Sequence, residues 1–471
     1  MIVEALRHEV GRITRSRARL AALAIFLAVS ALAALAGRSA TAEWAASLAN
    51  VEREQAEATG SAREWLATGA KGPEDREWVD ITQPLWQDWY ASSRAIRKPA
   101  PLAPIAAGSA DNSPTIIRIY RNSNPFLEEG TAIENPEFGS SEAIDLVFVL
   151  TVLVPILIFA LGIGCGAYER ERGIDRIIAV QLGSTASWFL ARAGAIAFIS
   201  LAVVLVVVTA ALAAVGGLGK GAGELVLLSA LYTLVWCGIL TATAVAATSL
   251  REASFAYGGV WLLLVVLVPT LMSERSLASA SAQANLTAAL EQRAQLYSSY
   301  EADGAETVTR LYAARPELRT MPAAKLDALP PEVERHVLDW QGVQDIRKDN
   351  AIKLAEESRA IAQAERDMAW SPAAAMTLAS ERLAGRDMAA TQAFRTEVVE
   401  RITQRVDWVL TAAWANKPLT AENFERLVTT RSEPVVIATT GIAPHFAILA
   451  IWALAAWGVG VILIRKREPG R

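Results

Sequence analysis

The sequence predicts a mainly α, polytopic membrane protein with six transmembrane helices and two large, mostly helical extracytoplasmic domains. Three observations predict it. Apolar residues make up 53% of the 471-residue chain and charged residues only 20%, below the roughly 25% charge of a soluble domain. The apolar residues gather in six nearly uncharged runs, each near the roughly 20 residues that cross a bilayer as a helix. Lys and Arg gather in the connections that six alternating spans place on one side.

Residues 1–19 come first. Ile2, Leu6, Val10 and Ile13 share one helical face, and Arg7, Arg12, Arg15 and Arg19 lie largely away from it. This is the pattern of a cytoplasmic amphipathic helix resting on an anionic leaflet. Residues 20–37 form the first span. The Arg-rich start followed by Ala40-Thr41-Ala42 also fits a secretory signal with its cleavage site, although the apolar run is long for one. Residues 38–143 form the first extracytoplasmic domain. Within it Glu43–Leu66 reads as helix, Trp78, Trp86, Trp89 and Tyr90 cluster around Pro84, and Thr115–Tyr120 reads as a short β-branched strand.

The second span covers 144–167. Pro155 kinks it, and Gly162 and Gly166, four apart, allow close helix packing within the chain or at a dimer seam. A cytoplasmic segment, 168–192, leads to the third span, 193–215. The fourth and fifth spans are 225–247 and 255–272, the latter kinked at Pro269. Residues 273–440 form the second extracytoplasmic domain, rich in Ala, Glu, Arg and Gln. It contains an Asn285-Leu286-Thr287 sequon, a long helix over Ile346–Met368, and another over Arg382–Trp414 after Ser371-Pro372 and Gly385. The sixth span is 443–464, and 465–471 is a tail.

Orientation follows from the charges. With alternating spans, both termini and the connections after spans two and four share one side, which holds 14 basic and 7 acidic residues. The segment 38–143, on the other side, holds 10 basic and 16 acidic. The positive-inside rule makes both termini cytoplasmic.

Much chemistry is excluded. A net charge of −4 argues against nucleic acid as a partner. Cys165 and Cys237 lie inside spans, so no disulfide framework is expected, and His8, His336 and His445 are too scattered for a metal site. Five methionines after the first residue form no Met-x-x-Met cluster. Gly216-Gly217-Leu218-Gly219-Lys220-Gly221 lacks the hydroxyl residue of a phosphate-binding loop. The spans are nearly free of the ionisable residues that mark an ion path. No catalytic, cofactor or metal residue is expected on this chain, and a driving energy must come from elsewhere.

The segment after span two is the most informative. Ile174, Ile177, Ile178 and Leu182 share one helical face and charge occupies the other, so a short amphipathic helix lies along the cytoplasmic surface. The order Glu169, Glu171, Gly173, amphipathic helix, Gln181, Ser184 resembles the permeases of ABC-2 type transporters. Ile174 stands where that family usually has Thr, Leu182 where it has Pro, and Arg192 where it has Lys. Glu134-Asn135-Pro136 before Asp145, and Ser371-Pro372 followed by Leu383-Ala384-Gly385-Arg386-Asp387, resemble the branch with large insertions after spans one and five. That branch is often labelled a multi-copper-enzyme-maturation permease component.

The resemblance implies a transporter subunit of the bacterial inner membrane, exporting or moving a substrate. A separate cytoplasmic ABC ATPase, carrying ATP and Mg, would bind through Glu169, Glu171, Gly173, Ile174, Ile177, Ile178, Gln181 and Ser184. A second permease, identical or related, would complete the assembly. The alternative is a non-transport receptor or envelope scaffold that binds partners through its outer domains.

Overall fold

A computed structural model describes residues 2–91, 94–112, 116–119, 144–182, 184–271, 304–321, 325–368, 370–431 and 441–467, with the single positions 294 and 323. The Asn285 sequon and Glu134-Asn135-Pro136 lie outside the described residues. The chain is mostly helical. Among the described residues six helices are long and apolar enough to cross a membrane: Arg17–Thr68, Leu146–Glu171, Thr185–Ala214, Ala222–Ala246, Leu250–Leu271 and Ala443–Lys466. Helix is the form an apolar run must take where no water can satisfy its backbone.

An N-terminal helix, α1 (Ile2–Thr14), precedes α2 (Arg17–Thr68). The expected break between the first span and the helix starting at Glu43 does not exist. The helix is continuous for 52 residues, about 78 Å at 1.5 Å per residue. No proline interrupts it, and it ends at Gly69, whose φ of 75° suits only glycine well. Gly37 is needed for another reason, since a Cβ there would lie 2.1 Å from the Pro104 carbonyl oxygen.

π turns stand beside the two prolines expected to kink their helices, at Val149–Leu153 before Pro155 and at Leu262–Leu267 before Pro269. Each proline lacks the N–H that would close the preceding turn, and hydroxyls from neighbouring elements donate to carbonyls in and beside both turns. Tyr232 donates to the Thr151 carbonyl at 2.7 Å, and Tyr257 donates to that of Pro155 at 2.8 Å. The Ser371 hydroxyl donates to the Leu264 carbonyl at 2.7 Å. Around these bonds lies the main core, with Leu150, Ile158, Val204, Leu228, Trp236 and Leu449 buried.

That last bond marks a departure from the expected layout. Residues 382–414 are not one helix. The chain forms α3 (Pro372–Leu383), turns at Gly385 with φ 63°, and restarts as α4 (Met388–Ala415). Arg97 donates to the Gly385 carbonyl and holds the turn. Helix α3 is not part of a solvated bundle: Ala375, Met376 and Ala379 are buried in the core of the apolar helices. Its start is anchored by Ser371 and by Trp452 Nε1, which donates to the Trp370 carbonyl at 2.8 Å. Small side chains at every turn let it wedge between helices.

The remaining polar segments interlock. Strands β1 (Arg94–Ile96) and β2 (Ile116–Arg118) pair antiparallel with Ala95 opposite Ile117. Ile117 and Ile119 then pack with Leu311, Val337, Trp340, Phe394 and Leu410 in a second core. A buried pair stitches the two segments, with Arg405 Nε donating to Asp88 at 2.5 Å. Arg63 grips Glu425 through two bonds of 2.6 and 2.9 Å. The stretches read as two units therefore share one core.

Candidate functional site

The segment after the second apolar helix is built on two glycines. That helix ends at Gly162, the chain turns through Gly166 with φ 87°, and a short helix, α5 (Ala167–Glu171), follows. Gly173, with φ 67° and open space around it, then redirects the chain into α6 (Ile174–Leu182). Ser184 caps the next helix, accepting from the Ser187 amide at 3.4 Å.

The carboxylates expected to face a partner are instead occupied. Glu169 is buried: it accepts from the Gly166 amide at 2.7 Å and from Arg192 Nη1. Arg192, only 1% exposed, also donates through Nε to Glu9 of α1 at 2.5 Å. Glu9 is fully buried and has Arg12 beside it at 3.4 Å. Two carboxylates thus share one buried guanidinium, which joins the N-terminal helix, α5 and the base of the third apolar helix. Glu171 accepts from the Leu250 amide at 3.0 Å and caps the helix that begins there. Arg170 donates to the Ala244 and Ala247 carbonyls, the latter at 2.9 Å, and Arg467 donates to the same pair of turns. Both satisfy carbonyls orphaned at a helix C-terminus.

α6 is bound less tightly. Ile177 is 57% exposed and Val180 87%, with Ile174, Leu182 and Gln181 also exposed and Ile178 half-buried. Its bare apolar face is wider than the sequence pattern indicates, because Val180 belongs to it.

Gly162 and Gly166 do not form a shared packing stripe. A Cβ at Gly162 would lie 2.4 Å from Leu240 Cδ2 and 2.9 Å from Ile196 Cγ2, so this glycine serves packing within the chain. Gly166 serves the turn. The face of α1 also differs from the expected one. Ala5, Glu9 and Ile13 are buried, whereas Val3 and Val10 are exposed. The Glu9–Arg192 pair rotates the helix so that a carboxylate points inward. Burial, with Arg192 as the next cause, holds the His8 imidazole below its usual pKa, and its ring meets Trp188 edge-on at 5.9 Å.

Sequence reasoning missed Glu9 and treated Arg192 as a loop cation. The available signal was spacing: Ala5, Glu9 and Ile13 recur every four residues, so one acid sits in an otherwise apolar stripe. Among the described residues no group of His, Cys, Asp or Glu is arranged to hold a metal ion.

A family profile described as a domain of unknown function (DUF3526) matches residues 285–430. No curated protein and no solved structure matches the chain.

Proposed function

We propose that this chain is the permease subunit of an ATP-driven transporter, with ATP and Mg bound by a separate cytoplasmic ABC ATPase. The observation that supports it is the bare apolar face of α6. That face hinges on Gly173, while the adjoining α5 is tied by Glu169, Arg170 and Glu171 to three apolar helices and to α1. A force applied to α6 would therefore reach the whole bundle rather than bend a loop. In this reading α6 seats in a cleft of the ATPase through Ile174, Ile177, Val180 and Leu182. In this reading the charge bias puts both termini in the cytoplasm and the interlocked polar unit on the other side, and the resemblance to ABC-2 permeases implies the inner membrane and a second permease copy or paralogue that closes the route.

The test is affinity purification of the full chain from its native membrane, with mass spectrometry of what accompanies it. An Ile177→Asp/Val180→Asp variant alters only exposed positions. Loss of a co-purifying nucleotide-binding ATPase at unchanged permease level supports the coupling role. If the wild-type chain brings down envelope proteins and no ATPase, the transporter reading falls to that of a receptor or scaffold.

A further inference from the structure

The end of the bundle that carries α1 has an open groove of about 720 Å³ whose lining includes Arg7, Arg12, Arg15, Arg19, Ser16 and Tyr168. Four arginines line it with His8 and one carboxylate, Glu4. Arg12 lies 3.4 Å from Glu9 and balances the second of the two carboxylates that share Arg192, so the surplus positive charge in the groove comes from Arg7, Arg15 and Arg19. Among the described residues no carboxylate lies within ion-pair reach of Arg7, Arg15 or Arg19. Arg12 and Arg19 also converge. A Cβ at Gly164 would meet Arg12 Nη2 at 2.6 Å and Arg19 Nη2 at 3.5 Å, so a glycine is what lets both side chains lie over the end of the second apolar helix. Two like charges gathered at one spot repel unless an anion lies between them.

Two further features favour an anion here. The groove lies at the N-terminus of α2, where backbone N–H groups and the helix dipole attract negative charge. Ser16 caps only the Arg19 amide, at 3.4 Å. Immediately beyond the groove the first turns of α2 expose Leu20, Ile25 and Leu27, an apolar surface on which acyl chains can lie. Tyr168 stands at the rim, with Arg172 over its ring at 5.4 Å.

We propose that this groove binds a phosphate group, presented by the headgroup of an anionic phospholipid. Arg12 and Arg19 hold the phosphate, Arg7 and Arg15 screen it from water, and the acyl chains follow α2. The site then fixes α1 to the membrane surface as well as to Arg192. It is independent of whether an ATPase docks on α6.

The test uses the full chain in neutral detergent and native mass spectrometry of retained lipid. The arms are dioleoyl phosphatidylglycerol, dioleoyl phosphatidylcholine and inorganic phosphate, the last scored by protection of the Arg15–Ser16 bond from trypsin. Retention of phosphatidylglycerol but not phosphatidylcholine is expected, with occupancy reduced about tenfold or more in Arg12→Gln/Arg19→Gln, since charge-assisted bonds are the strong ones. Because that pair is partly packed, Arg7→Gln/Arg15→Gln, at exposed positions, is the second variant and should weaken retention in low salt. Protection by inorganic phosphate without retention of lipid would overturn the lipid as the source. Equal retention of both lipids, or full retention of phosphatidylglycerol by both variants, would overturn the site.

Discussion

Arg192→Met removes the cation that Glu9 and Glu169 share. All three side chains are at least nine-tenths buried, with Glu9 at 0% and Arg192 at 1% exposure. Removing one partner of a buried ion pair costs about 3–5 kcal/mol, because the remaining charge stays buried without compensation. Here two carboxylates lose their partner. Glu9 keeps only Arg12 at 3.4 Å, and Glu169 keeps the Gly166 amide. One of them can take up a proton and relieve part of the cost, which sets the lower end, about 3 kcal/mol, as the working figure. The cost falls on the docking of α1, whose other contacts are Ala5 and Leu6 against Ala191, Ala195 and Trp188, His8 edge-on to Trp188, and Ile13 in the main core. At about 1.4 kcal/mol per tenfold, the undocked population should rise at least about a hundredfold. Trypsin reads this directly, since α1 ends beside Arg15 and Arg17. Cleavage there, in the regime where opening is fast relative to cutting, tracks the open population. The triple variant Glu9→Leu/Glu169→Leu/Arg192→Met should return close to wild-type protection, since an apolar replacement of a buried ion cluster is often neutral or better. Arg192→Met cleaved within twofold of the wild-type rate would refute the argument that the triad holds the N-terminal helix.

Three other outcomes are expected. Ser371→Ala strips the donor from the Leu264 carbonyl and should lower stability by about 1–2 kcal/mol, read as a lower midpoint in a thermal melt monitored by size-exclusion chromatography; Ser371→Thr should restore it. Gly162→Leu should abolish monodisperse protein, because its Cβ alone would meet Leu240 at 2.4 Å, whereas Gly258→Leu, with open space around it, should be tolerated. Glu381, half-buried on α3, is pushed up to about 7 by burial and then by Asp145, Asp387 and Glu365. A folded-state value raised above the usual 4.5 contributes stability that is present at low pH and lost as pH rises through about 7. Glu381→Gln should therefore raise the melting temperature at pH 8 and change it little at pH 5, and an equal shift at both would contradict that environment.

The six apolar helices were legible because composition and length are enough to say that a segment must satisfy its own backbone. Likewise Pro155 and Pro269 announced a local break in the helical ladder by lacking an N–H, found as the adjoining π turns, and Ile174–Leu182 announced an amphipathic helix through its 3.6-residue period. These are local properties, carried by residues close together in the chain. What depended on distant residues was not legible. Periodicity placed Val10 inward on α1, but an Arg 183 residues later draws Glu9 in and turns the helix. Glu169 and Glu171 looked like surface charges because their partners, Arg192 and the Leu250 amide, come from other elements. Helix α3 read as part of a polar domain by its neighbours in sequence. Its small side chains, and a carbonyl left free by a π turn more than 100 residues earlier, place it inside the bundle. A sequence shows which groups need a partner, and the tertiary fold decides which group each one gets.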